Sequence, residues 1–216
     1  AGTVDPATPV LTDASGVAAA TSWTLGNTAG ANSLTASADG LTGSPVSFNA
    51  TGTAGAATQV ALQAGDAQTA TVATAVAIAP AVIVRDQFNN PVAGVSVTFA
   101  VASGGGAVDP TPVTTDANGV AAATAWTLGN TAGSNTLSAS ANGLTGSPVT
   151  FSASGTAGAA TQVALQAGDG QTATVATAVT IAPAGIVRRP FKNPGAGGGG
   201  KFAAAAVGRS APAAAP

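Results

Sequence analysis

Gly195 to Lys201, GAGGGGK, has the G-x-x-x-x-G-K spacing of a phosphate loop, in which backbone amides and the lysine surround a phosphate. Phe202 stands where a magnesium-binding Ser or Thr is needed, no buried strand leads in and no helix leads out, so the stretch reads as low complexity. Asp109, Asp116 and Asn118 offer hard oxygen ligands of the kind calcium takes. Asp and Asn at turns also bond their own backbone, and that reading is preferred here. Arg188, Arg189 and Lys192 form a basic cluster of the kind an anionic partner takes, but their counterparts one copy earlier, Arg85, Asp86 and Asn89, are not basic, so no function is assigned to them. Trp23 and Trp126 are either exposed platforms for a sugar ring or core residues, and their alternation with Val and Leu favours the core. Asn49-Ala50-Thr51 is a formal glycosylation acceptor, but Ser152 replaces the asparagine in the next copy, so the motif reads as incidental. With no His, Cys, Tyr or Glu in the chain, the usual acids, bases and nucleophiles reduce to Ser, Thr, Asp and a few cations. The sequence therefore assigns no catalytic residue, no cofactor site and no metal site, and indicates no enzyme.

Charge narrows the partners. Residues 1 to 187 hold eight Asp and one Arg, Arg85, whereas Arg188, Arg189, Lys192, Lys201 and Arg209 follow, so the net of −2 hides an acidic body and a basic end. An acidic, weakly charged body lacks the clustered Lys and Arg that nucleic acid requires. No apolar run reaches the roughly 18 to 20 residues of a membrane helix. There is no methionine and no signal-peptide pattern, and the sequence opens partway through a repeat, so it is expected to be a piece of a longer protein.

Whatever these residues do, repeated elements must position them. Gly16 to Gly30, GVAAATSWTLGNTAG, returns 103 residues later as Gly119 to Gly133, GVAAATAWTLGNTAG. At the same offset Pro9 to Gly55 recurs as Pro112 to Gly158, and Ala56 to Arg85 as Ala159 to Arg188. A period near 100 fits one β-sandwich per copy. Residues 1–55 then form the second half of a copy, 56–158 a complete copy and 159–188 the first strands of a further one. Residues 189–216 are a degenerate Gly/Ala-rich tail, expected to be disordered. Under the same offset the tail still matches at Phe191, Asn193, Pro194 and Phe202, but Gly195, Gly198 and Gly200 replace Val92, Val95 and Val97, as if an ordinary repeat had been corrupted. The partial copies should carry exposed edges and apolar faces.

Within each copy, β-branched residues at period two are interrupted by Gly, Asn and Pro, which predicts short antiparallel strands and an all-β fold. One face is expected to hold Val17, Ala19, Thr21, Trp23 and Leu25, and their counterparts Val120, Ala122, Thr124, Trp126 and Leu128. Val60, Leu62 and Ala64 should share a face on an outer strand, Val82 and Val84 should point inward, and Val95, Val97, Phe99 and Val101 should form the strongest strand. Val46 and Phe48 should lie together, as should Val149 and Phe151. About seven or eight short strands per copy, with turns between them, make an antiparallel sandwich.

The segments ATQVALQAG, IVRDQFNNPVAGVSVTFAV, TDANGVAAATAWTLG and GSPVTFSASGTAG resemble the bacterial immunoglobulin-like repeats of invasin and intimin type, over residues 1 to 188. The stretch Asp86 to Phe99, the Thr-Asp-Ala-Asn-Gly turn and Trp-Thr-Leu-Gly carry the likeness. The resemblance implies tandem Ig-like sandwiches forming a non-catalytic stalk of a bacterial adhesin-like protein, at the cell surface or secreted. Neighbouring repeats are then the first partners. A host surface protein or glycan bound by the repeats themselves is the alternative, as is an accessory module of a secreted enzyme or phage particle.

Overall fold

A computed structural model of the protein describes residues 2–193 and 202–203. The phosphate-loop-like stretch and nearly all of the tail, with its expected disorder, lie outside the described residues. The chain is all-β. In order, the strands are β1 (Thr3–Asp5), β2 (Ser22–Thr24), β3 (Gly30–Ala36), β4 (Val46–Gly52), β5 (Gln59–Ala64), β6 (Gln68–Thr71), β7 (Ala81–Arg85) and β8 (Ser96–Ser103). They continue with β9 (Gly106–Asp109), β10 (Val113–Thr114), β11 (Val120–Ala122), β12 (Ala125–Leu128), β13 (Gly133–Ser140), β14 (Val149–Thr156), β15 (Gln162–Ala167) and β16 (Ala184–Arg188). A single turn of 3-10 helix covers Pro190–Lys192. Two compact units are present, Ala1–Thr156 and Ala157–Pro216.

In the first unit, β5 to β14 build a sandwich. One sheet has the order β10-β8-β13-β14-β6 and the other β11-β7-β5, while β12 and β9 pair separately. Every pairing in the large sheet is antiparallel except that β6 runs parallel to β14, Gln68 opposite Ala153 through Thr71 opposite Thr156. Val82, Val84, Val97, Phe99, Trp126 and Phe151 lie buried between the layers. The Phe99 and Phe151 rings meet at 6.4 Å with a 42° tilt, which suits the edge-to-face attraction of aromatic quadrupoles. Period-two alternation predicted these inward residues because each strand buries only one face.

Two expectations fail within residues 56–158. The tryptophan strand does not keep one parity: Ala121 and Ala123 are buried, then Trp126 and Leu128, while Val120 is only half-buried and Ala122 and Thr124 are exposed. The phase shifts because the chain changes sheets at Ala123–Thr124. Before it, β11 pairs with β7; after it, β12 pairs with β9, and Thr124 N–H donates to Asp109 C=O at 2.7 Å. Leu62 is exposed although Val60, in the same continuous register against β7, is buried; just beyond Leu62 this edge strand carries a bulge, where the register slips before Ala64.

Residues 2–55 keep the local structure of a second half. The register of β3 with β4, Gly30 opposite Gly52 through Ala36 opposite Val46, repeats that of β13 with β14. In the same way β1–β2 repeats β9–β12, with Val4 opposite Trp23 as Val108 is opposite Trp126. The expected strand over Val17 to Thr21 does not form. Its sequence, VAAAT, is identical to Val120–Thr124, where Val120–Ala122 is a strand because β7 lies beside it. Propensity is the same in both places, and only the partner differs.

The second unit shows the converse. The pair β15–β16 reproduces the register of β5–β7 with its bulge, Gln162 opposite Arg188 through Ala167 opposite Ala184. Gln171 to Thr174, QTAT, is irregular, whereas the identical Gln68–Thr71 forms β6 along β14.

Burial should decide the cost of mutation at matched positions. Phe151 is 0% exposed and Phe48, its counterpart, 49%. Phe151→Ala should cost about 3–5 kcal/mol, and Phe48→Ala about 0.5 kcal/mol or less. Denaturant titration followed by Trp126 fluorescence, in a Trp23→Phe background, measures both.

Candidate functional site: the joint between consecutive copies

The residues singled out for chemistry do not converge. Trp126 is core, and Trp23 is half-buried on β2. Asp116 closes a turn: its Oδ1 accepts from the N–H of Asn118 at 2.8 Å and of Val120 at 2.9 Å, and its C=O accepts from Gly119 N–H. These donors, Val120 first, hold the Asp116 carboxyl below its ordinary value. Gly119 has φ +72, and a Cβ there would lie 2.6 Å from Val84 C=O, so only glycine fits the crossing to β7. Asp109 sits on β9, and among the described residues no group of three or more His, Cys, Asp or Glu is placed to hold a metal ion. Asn49 is exposed on β4 opposite Ser33. Arg188 lies on β16, and Arg189 Nη1–H donates to Gly158 C=O at 3.3 Å.

What the structure does bring together is Asp86 and Asn90, buried polar residues in the turn after β7. Asp86 Oδ1 accepts from the N–H of Phe88 at 2.8 Å and of Asn90 at 2.9 Å, closing the turn. Its Oδ2 accepts from Asn90 Nδ2–H and from Gly55 N–H, each at 2.9 Å. Asn90 then reaches the preceding copy. Its Nδ2–H donates to Asn27 C=O at 2.7 Å, and its Oδ1 accepts from Ala29 N–H at 2.8 Å. Gln59 Nε2–H adds bonds to Asp86 C=O at 3.2 Å and Asn89 Oδ1 at 2.9 Å.

One carboxylate and one carboxamide thereby tie three segments: the Gly26–Gly30 loop of the first copy, the connection at Gly55 and the first turn of the second copy. An amide side chain suits this because it donates and accepts side by side, matching a backbone C=O and N–H two residues apart. The Asn90 side chain, then the Gly55, Asn90 and Phe88 backbone N–H groups, lower the Asp86 carboxyl to about 2, against the opposing effect of burial.

Sequence reasoning missed this joint. Asp86 and Asn90 lie inside the stretch that carries the family likeness, but they read as turn residues. The available signal was their spacing of four in a motif too polar for a hairpin between two apolar strands. In the third copy Arg189 occupies the position of Asp86 and Asn193 that of Asn90. Arg189 bonds the C=O of Gly158 where Asp86 bonds the N–H of Gly55.

Residues 76–154 match the bacterial Ig-like domain family, group 1. The Ig-like match covers the sandwich from just before β7 to β14 and includes both Asp86 and Asn90. The chain is similar in fold to the solved structure of FdeC, a broadly conserved Escherichia coli adhesin, with a TM-score of 0.51 and 18% identity. The likeness covers 81% of this chain and 55% of the FdeC chain, so this chain spans little more than half of it. No curated protein matches it closely enough to be called a relative.

Asn90→Ala should loosen the joint, removing both bonds to the first copy at a cost of about 1–3 kcal/mol. Faster proteolytic cleavage near Gly55, with β13 and β14 still protected, is the expected readout. Because the Asp86 carboxyl is lowered to about 2, its contribution to stability is complete above the unfolded value of about 3.9 and is lost as pH falls from there through about 2. Acid titration of the wild type against Asp86→Asn should show that loss in the wild type alone.

Proposed function

We propose that the chain is a non-catalytic stalk segment of a bacterial cell-surface, adhesin-like protein: one complete Ig-like sandwich, residues 56–158, between two partial ones, residues 1–55 and 159–188. The observation that carries the reading is the joint. A spacer must transmit orientation from one domain to the next, and side chains that bind only their own neighbours do that. Asn90 bonds Asn27 and Ala29 of the preceding copy, and Asp86, while closing its own turn, bonds the connection at Gly55. Copies that differ mostly by Ser, Thr, Ala and Asn exchanges favour the same role, since a rod needs sameness whereas a binding site needs one distinctive surface. The lack of His, Cys, Tyr and Glu supports a non-catalytic part, and the Ig-like match together with the FdeC fold supports the surface setting.

Chains extended by whole 103-residue copies test the stalk directly. Small-angle scattering should show the maximum dimension growing in equal steps per copy, and Asn90→Ala in every copy should shift growth toward the square-root dependence of a flexible chain. Saturable attachment of a single intact copy to host cells or to a glycan array would replace the spacer with a binding role.

A further inference from the structure

The Gly26–Gly30 loop that Asn90 engages is itself held by a side chain of its own copy. Asn32, near the start of β3, lays its carboxamide across the two ends of the loop: Oδ1 accepts from Gly26 N–H at 3.3 Å, and Nδ2–H donates to Gly30 C=O at 3.1 Å. Asn90 takes the middle of the same loop, donating to Asn27 C=O at 2.7 Å and accepting from Ala29 N–H at 2.8 Å. The outer backbone groups thus go to Asn32 and the inner ones to Asn90.

A loop with glycine at both ends has little of its own to fix its shape. Gly30 has φ +123, a conformation open to glycine and strained for other residues, and glycine has the most freedom to lose on ordering. A side-chain bond to each end supplies the missing constraint. Beneath the loop, a Cβ on Gly52 would lie 3.4 Å from Asn32 Nδ2 and 3.5 Å from Thr28 C=O, so the end of β4 supports carboxamide and loop together.

The complete copy builds its Gly129–Gly133 loop in the same way. Asn135 Oδ1 accepts from Gly129 N–H at 3.1 Å, and Asn135 Nδ2–H donates to Gly133 C=O at 3.1 Å. Alternation along β13 puts Asn135 on the inward face with Leu137 and Ala139, and all three are fully buried. An apolar residue there would carry no polar cost, whereas a carboxamide must bond through both of its groups to be tolerated. Both groups of Asn135 go to the loop.

Taking the joint as what orders successive copies, we infer that Asn32 is a positioning residue for it. Asn32 holds Asn27 C=O and Ala29 N–H at the separation and direction that the Asn90 carboxamide requires, and so acts on the following copy without bonding it. Preshaping the loop removes ordering cost from formation of the joint. Aspartate cannot take the place of Asn32, because the donor to Gly30 C=O would become a second acceptor.

Hydrogen exchange of the full chain, followed amide by amide by NMR, tests this at Ala29, whose N–H donates to Asn90 Oδ1. Ala29 should be protected in the wild type, and Asn90→Ala should speed its exchange roughly tenfold, the order expected for one lost hydrogen bond. Asn32→Ala should speed it by a comparable factor, and Asn32→Asp, of nearly the same size, should do the same. Because both residues serve one arrangement, the double variant Asn32→Ala with Asn90→Ala should exchange no faster than the faster single. At the far end of the β3–β4 ladder, around Thr35 and Ser47, exchange should keep its wild-type rate. An Ala29 amide protected in the wild type but indifferent to Asn32→Ala would overturn the inference, as would effects that multiply fully in the double variant or equal acceleration around Thr35. An Ala29 amide unprotected in the wild type would instead overturn the joint itself, and the stalk reading with it.

Discussion

Several strands in this chain exist only where a segment far away in sequence supplies their hydrogen bonds, and much of the structure follows from that dependence. VAAAT is a strand at its start beside β7 and irregular without it; QTAT is a strand along β14 and irregular without it. Backbone groups left unpaired must face water, so these segments cannot bury their apolar sides until the partner arrives. Short, Ala- and Thr-rich strands make the dependence acute, because each carries too little apolar surface to hold its shape alone. The buried Trp126, Phe99 and Phe151 are where the two halves of the copy settle their contact.

The joint between copies works on different physics. It rests on the hydrogen bonds of a buried carboxylate and carboxamide, so its strength lies in direction. A hydrophobic contact tolerates sliding; Asn90 reading the C=O of Asn27 and the N–H of Ala29 does not. The exchange of Asp86 for Arg189 in the third copy reverses the charge and exchanges an acceptor for a donor, and the bond to the connection moves from the N–H of Gly55 to the C=O of Gly158. The same position thus meets the same glycine through its other backbone group.

Much of this was legible in the sequence. Period-two alternation and the turn residues between strands identify the all-β fold and inward residues such as Val84, Phe99 and Phe151. They fail at the tryptophan strand, because one unbroken alternation cannot reveal that the chain leaves β7 for β9 at Thr124 and shifts phase in doing so. They also fail at Val17–Thr21, where a local pattern promises a strand that only a distant segment can grant. Asp86 and Asn90 stay hidden because turn-forming Asp and Asn look alike whether their second set of bonds goes to water or to another domain. Asp66, whose Oδ1 accepts from the backbone N–H of Ser152 at 2.8 Å and its hydroxyl at 2.9 Å, is missed for the same reason.

The parallel run of β6 along β14 gives the sandwich a mechanical property. β6 follows β5 early in the sandwich and β14 closes it, so a pull that reaches β6 from its N-terminal side and β14 from its C-terminal side draws the two strands in opposite directions along their shared axis. All the hydrogen bonds from Gln68–Ala153 to Thr71–Thr156 are then loaded together in shear, where an antiparallel pair pulled from one end would unzip bond by bond. Resistance to pulling is set by the rate at which such a ladder ruptures, a quantity distinct from equilibrium stability. A small domain poor in aromatic residues can in this way bear load out of proportion to its core.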